Sequence, residues 1–277
     1  MSKGIEGKVV LITGGGTGLG AETARWLASK GAKVAVAARR KEKLASVVAT
    51  INAAGGQARA YPLDVADKKQ MLAVVDAVIT EFGRLDVLVN NAGLMPIRPM
   101  AEVNTDEWDA MIDVNLKGTL YGIAAALPAF LAQESGDFIN TSSVAGLKVA
   151  APGGVVYSGT KFAVRAISEG LRLEVGPRIR VTCIAPGYIE SDLKYGTTGV
   201  AQTGRARLLQ DSHPGQFGSA RHRLCDRAAS RCRHQRDRST PYLAGILTWR
   251  LVRASAFLNH RQGVHTWQSI DSPMTSS

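Results

Sequence analysis

The chain has 277 residues, 45% of them hydrophobic, and a net charge of +11, enough for one large α/β domain or two small ones. No unbroken apolar run reaches the length of a membrane span, no apolar leader opens the chain, and the three cysteines Cys183, Cys225 and Cys232 argue against a disulfide scaffold. A cytoplasmic protein is expected.

The charge is unevenly spread. From Tyr195 to Ser277 there are twelve Arg, four Asp, no Lys and no Glu, a net +8, and all five His lie there. Met1 to Lys194 carries only +3. Two compositions meet near residue 200, so residues 1–200 read as one domain and 201–277 as an atypical basic tail.

Lys8 to Thr13 is a short β-branched run that reads as a buried parallel strand. Gly14-Gly15-Gly16-Thr17-Gly18-Leu19-Gly20 follows, then helical spacing from Ala21 to Lys30. A strand, a glycine-rich turn and a helix start make an anion site, because free backbone N–H groups and the helix dipole face a phosphate. Gly14, Gly16, Thr17, Gly18, Leu19 and Gly20 are therefore candidates to hold a dinucleotide pyrophosphate. The alternative is a glycine turn with no ligand.

Lys33 to Ala38 is the second strand. About twenty positions beyond the first glycines, a dinucleotide site carries an acid for the ribose 2′-hydroxyl. This chain has Ala37-Ala38-Arg39-Arg40 there, with no carboxylate. Arg39, with Arg40, can instead pair with a 2′-phosphate and stack on adenine, which favours NADP over NAD. Otherwise the two arginines solvate a helix start.

Leu44 to Ala54 reads as a helix ended by Gly55-Gly56, and Ala58 to Leu63 as the third strand. Asp64, next to Val65, either caps the helix Lys68 to Phe82 or contacts adenine. Leu85 to Val89 is the fourth strand, ending in Asn90-Asn91-Ala92-Gly93. A long helical stretch runs from Thr105 and Glu107 to Ala132 and contains Asn115, poor helix material. That cost suggests a function, with a solvent-facing side chain as the alternative. Asp137 to Thr141 is the fifth strand, followed by Ser142-Ser143.

Phe162 to Val175 reads as a helix, with Tyr157 and Lys161 four apart on one face at its start. A phenol titrates near ~10, and a neighbouring ammonium favours its ionised form. The pair makes a proton donor and acceptor for an alcohol/carbonyl couple; taken alone it also fits a surface helix. Arg178 to Ile184 is the sixth strand, then Pro186-Gly187. Alternating strands and helices predict a single Rossmann-like α/β domain, a doubly wound parallel sheet with helices on both faces and ligands at the strand C-terminal ends. Gly14, Arg39, Asp64, Asn91, Ser143 and Pro186 each follow a strand, so the candidates converge on one sheet edge.

These residues resemble the short-chain dehydrogenase/reductase family over about residues 7 to 194. The matching motifs are Thr13-Gly14-x-x-x-Gly18-x-Gly20, Asn90-Asn91-Ala92-Gly93, Asn115, Ser143, Tyr157-x-x-x-Lys161 and Pro186-Gly187. The resemblance implies that Tyr157 is the general acid/base and that Ser143 hydrogen-bonds the substrate oxygen. It implies that Lys161 contacts the nicotinamide ribose and lowers the tyrosine pKa, and that Asn115 holds a water relaying protons through Lys161. It also implies cofactor contacts from Asp64, Val65, Asn91, Ala92, Gly93, Tyr157, Lys161, Pro186, Gly187 and Ile189. Ser142 competes with Ser143; the latter is preferred because it directly precedes Val144-Ala145-Gly146, as the family serine does. The interval from Ser143 to Tyr157 is one residue longer than in many members, an insertion within Leu147 to Val155. The implied protein is an NADP-dependent oxidoreductase on a small-molecule alcohol or carbonyl, a homotetramer or homodimer if its C-terminus is normal.

The family needs a substrate cover, a helix and a last strand after Pro186. Residues 205–277 instead show Arg- and His-rich text without periodicity. This reads as a basic nucleic-acid arm, as a disordered tail, or as a frameshift between about Tyr195 and Leu208. A one-base shift of ordinary synonymous codons for Leu208 to Leu247 gives a peptide with a helix-like and a strand-like run, and the next shifted codon can be a stop. The shifted text resembles the ending of the 3-hydroxy acid and serine dehydrogenase branch of the family. The frameshift is preferred, with no nucleic-acid partner and no metal; Arg231, Cys232 and His234 are not taken as ligands. A small hydroxy acid is the favoured substrate on that resemblance. The rivals are a carbonyl reductase for a bulkier ketone or aldehyde, and a catalytically impaired nucleotide-binding protein.

Overall fold

The structure is a computed structural model, and it describes residues 4–187. Ile189 and the tail therefore lie outside the described residues. Six strands, β1 (Val9–Thr13), β2 (Lys33–Ala38), β3 (Gln57–Pro62), β4 (Val87–Asn90), β5 (Gly136–Thr141) and β6 (Ile179–Ile184), form one sheet. Its order is β3-β2-β1-β4-β5-β6, and every pairing is parallel. The helices are α1 (Gly18–Ala28), α2 (Lys41–Ala53), α3 (Lys68–Phe82), α4 (Thr105–Met111), α5 (Gly118–Ala132) and α6 (Val155–Glu174).

All five residues of β1 are buried, because helices cover both faces and side chains alternate between them. Val9 and Leu11 join Met71, Val75 and Val78 of α3 and Ala126 and Phe130 of α5. Val10 and Ile12 join Ala24 and Leu27 of α1 and Leu44, Val47 and Ile51 of α2. The chain winds outward from β1 through β2 to β3, then crosses back to β4 and winds the other way. The strand order thus reverses between β1 and β4, and that crevice is where open α/β sheets bind ligands.

Three local expectations are corrected. The helix expected from Phe162 begins at Val155; its first turns bury Tyr157, Ser158, Thr160 and Lys161, polar side chains that leave no apolar period. The long helix expected up to Ala132 is interrupted by a π-helical turn at Ile112–Lys117, centred on Asn115. The α3 cap is Asp67, whose carboxylate accepts from Lys69 N and Gln70 N, not Asp64, which accepts from Ala66 N. Among the described residues, Thr105–Ala132 is long and apolar enough by composition to cross a membrane. Here Ile123, Ala126 and Phe130 of that stretch pack against the sheet.

Candidate active site

The nucleotide end of the crevice is built by close backbone approach. Gly14 has φ +66°, and a Cβ on it would sit 2.9 Å from Ala92 Cα. A Cβ on Gly20 would sit 2.3 Å from Gly14 O. The two strand ends are tied by Thr13, whose Oγ accepts from Asn91 N at 3.0 Å and Ala92 N at 3.1 Å. Asn91 Nδ2 donates back to Thr13 O at 3.0 Å. The first turn of α1 has neither an acidic residue nor a side-chain cap, so its N–H groups and dipole are left to an anion. This cradle fits a dinucleotide phosphate.

At the end of β2, Arg39 and Arg40 are exposed, and Arg40 Nη2 donates to Thr17 Oγ1 at 3.3 Å. Sequence reasoning missed Lys43, whose Cβ lies 3.3 Å from where a Gly16 Cβ would be; one helical turn beyond Arg39, it reaches the glycine turn. Val65 is buried, and its Cγ2 lies 2.8 Å from a Cβ built on Gly118, so its side chain serves packing.

The chemical end gathers the other candidates. Asn115 is buried, not solvent-facing. Its Oδ1 accepts from Leu94 N at 2.7 Å, and its Nδ2 donates to Leu94 O at 2.9 Å and Thr160 Oγ1 at 3.1 Å. The π-helical turn thus locks the loop after β4 to α6. A Cβ on Gly93 would lie 3.3 Å from Asn115 Oδ1 and 3.7 Å from Lys161 Nζ, so Gly93 keeps these two groups close. Lys161 Nζ donates to Thr141 O at 2.9 Å and lies 5.7 Å from the Tyr157 ring centroid. Ser143 lies near enough to the Tyr157 hydroxyl to favour its ionised form, and its Oγ accepts from Ala145 N at 3.1 Å. Ser142 Oγ is occupied elsewhere, donating to Lys161 O at 2.8 Å. Pro186 O accepts from Val144 N at 3.0 Å, which seats the Ser143 turn.

Burial dominates the titration of this site. It holds the Tyr157 phenol above its ordinary value, and neighbouring Ser143 opposes this. The expected lowering of the phenol by Lys161 is therefore not what the structure shows. Desolvation instead pushes Lys161 down from 10.5 to about 8, opposed by Cys183. With the folded value below the unfolded one, the unfolded chain holds an extra proton between about 8 and 10.5. Stability contributed through Lys161 is then lowest below that window and rises as pH rises through it. Lys161→Met should accordingly stabilise the fold near neutral pH by on the order of 2 kcal/mol, net of the lost Thr141 hydrogen bond. It should also flatten the rise at alkaline pH; urea unfolding at about pH 7 and about pH 9.5 checks both.

Residues 8–198 match the family model described as short chain dehydrogenase. An uncharacterized oxidoreductase of Listeria innocua is 48% identical over 192 residues, 68% of this chain and 77% of that protein. One of Staphylococcus saprophyticus is 45% identical over the same shares. Among solved structures, an NAD+-bound xylitol dehydrogenase aligns with a TM-score of 0.65 at 33% identity, covering 67% of this chain and 72% of that one. A gluconate 5-dehydrogenase from Burkholderia cenocepacia in complex with NADP and tartrate aligns with a TM-score of 0.64 at 34% identity, covering 68% and 74%. With a reversed parallel sheet, a glycine cradle at its switch point and relatives of this likeness, the chain belongs to the short-chain dehydrogenase family and is an oxidoreductase of that type.

Proposed function

We propose that the protein is an NADP-dependent oxidoreductase interconverting a secondary alcohol and its carbonyl. The observation carrying this reading is the buried group of Ser143, Tyr157 and Lys161, with Lys161 Nζ 5.7 Å from the Tyr157 ring centroid and next to Gly93 at the end of β4. A bound nicotinamide would supply or accept the hydride. Tyr157 gives the proton to the developing alkoxide, and Ser143 donates a second hydrogen bond to the same oxygen. Lys161, fixed on Thr141 O, and Asn115, fixed on Leu94, hold the tyrosine's surroundings and return protons to it. The glycine turn, Asp64, Val65, Asn91, Ala92, Gly93, Tyr157, Lys161, Pro186 and Gly187 are assigned to the cofactor, together with Ile189.

The NADP preference rests on charge. Arg40 and Lys43 stand against the glycine turn, Arg39 is exposed at the end of β2, and no acid stands there. A charge-assisted contact to a 2′-phosphate contributes about 1.5–3 kcal/mol. Arg39→Ala should therefore weaken NADPH roughly ten- to a hundredfold and leave NADH nearly unchanged; fluorescence titration with both nucleotides checks it. Equal losses for the two would contradict the assignment.

A small hydroxy acid is the first substrate reading, resting on the shifted-frame resemblance of the tail. A specific observation favours the second, a bulkier ketone or aldehyde: Tyr157 clusters with Met111 and Ala145, and the partly buried Leu94, Met95, Trp108 and Val156 pack against that apolar cluster. Relative kcat/KM over a panel of hydroxy acids and apolar ketones separates the two. The domain is taken to span residues 1–200 of a cytoplasmic oligomer. The family match stops at residue 198, near the change of composition, which is consistent with the proposed frameshift; the gene's codons from 195 to 250 decide that point.

A further inference from the structure

Two loops meet beside Tyr157, and a backbone hydrogen bond from Arg98 joins them. The first leaves β4 and runs to α4; the second joins β5 to α6. Arg98 lies in the first and donates its backbone N–H to Gly153 O of the second at 3.0 Å. Its Nε donates to Glu107 Oε2 at 2.8 Å, and its Nη1 to Glu102 Oε2 at 3.1 Å. Arg98 and Glu107 are both largely buried, with side-chain exposures of 17% and 16%.

The contact between the loops is tight. Gly153 has φ +88°, and a Cβ there would sit 2.8 Å from Ile97 Cγ2. The second loop is pinned again where Ala150 N donates to Ser158 Oγ at 2.9 Å, on α6 itself. Arg98, Glu107, Trp108, Met111 and Val156 line one small crevice, and the last three of these also pack around Tyr157.

We propose that Arg98 is a positioning residue for the substrate: held by Glu107 and Glu102, it fixes the loop after β4 against Gly153 and so sets the pocket wall beside Tyr157. This rests on the oxidoreductase reading above. The same pairing keeps Arg98 from serving as a receptor for a substrate carboxylate, because two acids already neutralise it. A largely buried pair broken on one side strands the other charge, so the wall loosens when either partner is removed. A rim pair would do little.

The test uses the full chain with Arg98→Met, Arg98→Lys and Glu107→Gln. The expected result for Arg98→Met is a KM for the carbonyl raised about tenfold, with NADPH affinity unchanged. Arg98→Lys recovers part of that loss. Glu107→Gln, which keeps shape and removes only charge, moves KM in the same direction and holds the inference to account if Arg98→Met does not fold. Hydrogen exchange in residues 150–156 should quicken in these variants, while that of the β1–α1 turn stays the same. Unchanged exchange in 150–156 would overturn the proposal, and so would equal losses of carbonyl and NADPH affinity. Should the unsubstituted chain bind NADPH and reduce no carbonyl, the oxidoreductase reading fails, and the exchange measurement still decides whether Arg98 fixes the wall.

Discussion

Tyr157→Phe is expected to lower turnover by roughly 10²–10⁴-fold and to leave NADPH affinity unchanged. The substitution removes one hydroxyl and keeps the ring that packs on Met111 and Ala145, so the site keeps its shape. What is lost is the proton donor to the alkoxide. Folding stability should change by only about 1 kcal/mol, the scale of one neutral hydrogen bond. Burial holds the phenol above its ordinary value, so at neutral pH it is protonated and set for carbonyl reduction. Alcohol oxidation, which needs the ionised ring, should rise with pH in the unsubstituted protein, and the rise should vanish with the hydroxyl. Steady-state rates across pH, with NADPH titrations on both proteins, check this. A Phe variant that keeps full turnover would mean another group is the acid.

Gly20→Ala carries the second large effect. The added Cβ would lie 2.3 Å from Gly14 O and 2.8 Å from Asn91 Nδ2. Neither neighbour is the free end of a flexible chain: the first is backbone of the phosphate turn, and the second bonds Thr13 O. Relief requires the turn to move away from α1, which breaks the cradle. Overpacking of this kind costs about 1–3 kcal/mol, and we expect NADPH affinity to fall roughly ten- to a hundredfold. Gly170→Ala is the control, since nothing lies within 4 Å of its Cβ; within α6 it should hold or raise stability by up to about 1 kcal/mol and leave binding intact. Calorimetric Kd values and melting temperatures for both variants measure the contrast.

The sheet was legible because strands buried on both faces are written as continuous apolar runs: the strand Lys33 to Ala38 has the expected bounds, and so has the helix Lys68 to Phe82, whose apolar residues recur at helical spacing. Family membership was legible too, because its motifs stand at strand ends. The start of α6 was not, since Tyr157, Ser158, Thr160 and Lys161 face inward without an apolar period. Nor was the π-helical turn at Asn115, because one inserted residue leaves composition unchanged. Asp64 and Asp67 both stand before α3, and only the geometry shows that Asp67 takes the two N–H groups. Lys43 and Arg98 were missed for a shared reason: each matters through a neighbour distant in sequence, the glycine turn for one and Gly153 for the other. The titration of Tyr157 and Lys161 follows burial, a property of the folded site, so spacing alone gave the tyrosine shift the wrong sign.

The central claim, that the glycine cradle and the Ser143–Tyr157–Lys161 group act as one oxidoreductase site, is tested most directly by counting products. The full chain is mixed with limiting NADPH and an apolar ketone, and both the nucleotide consumed and the alcohol formed are quantified. The account predicts one alcohol for each NADPH oxidised. NADPH bound and left unoxidised with every ketone and hydroxy-acid partner, or oxidised without alcohol appearing, would contradict it.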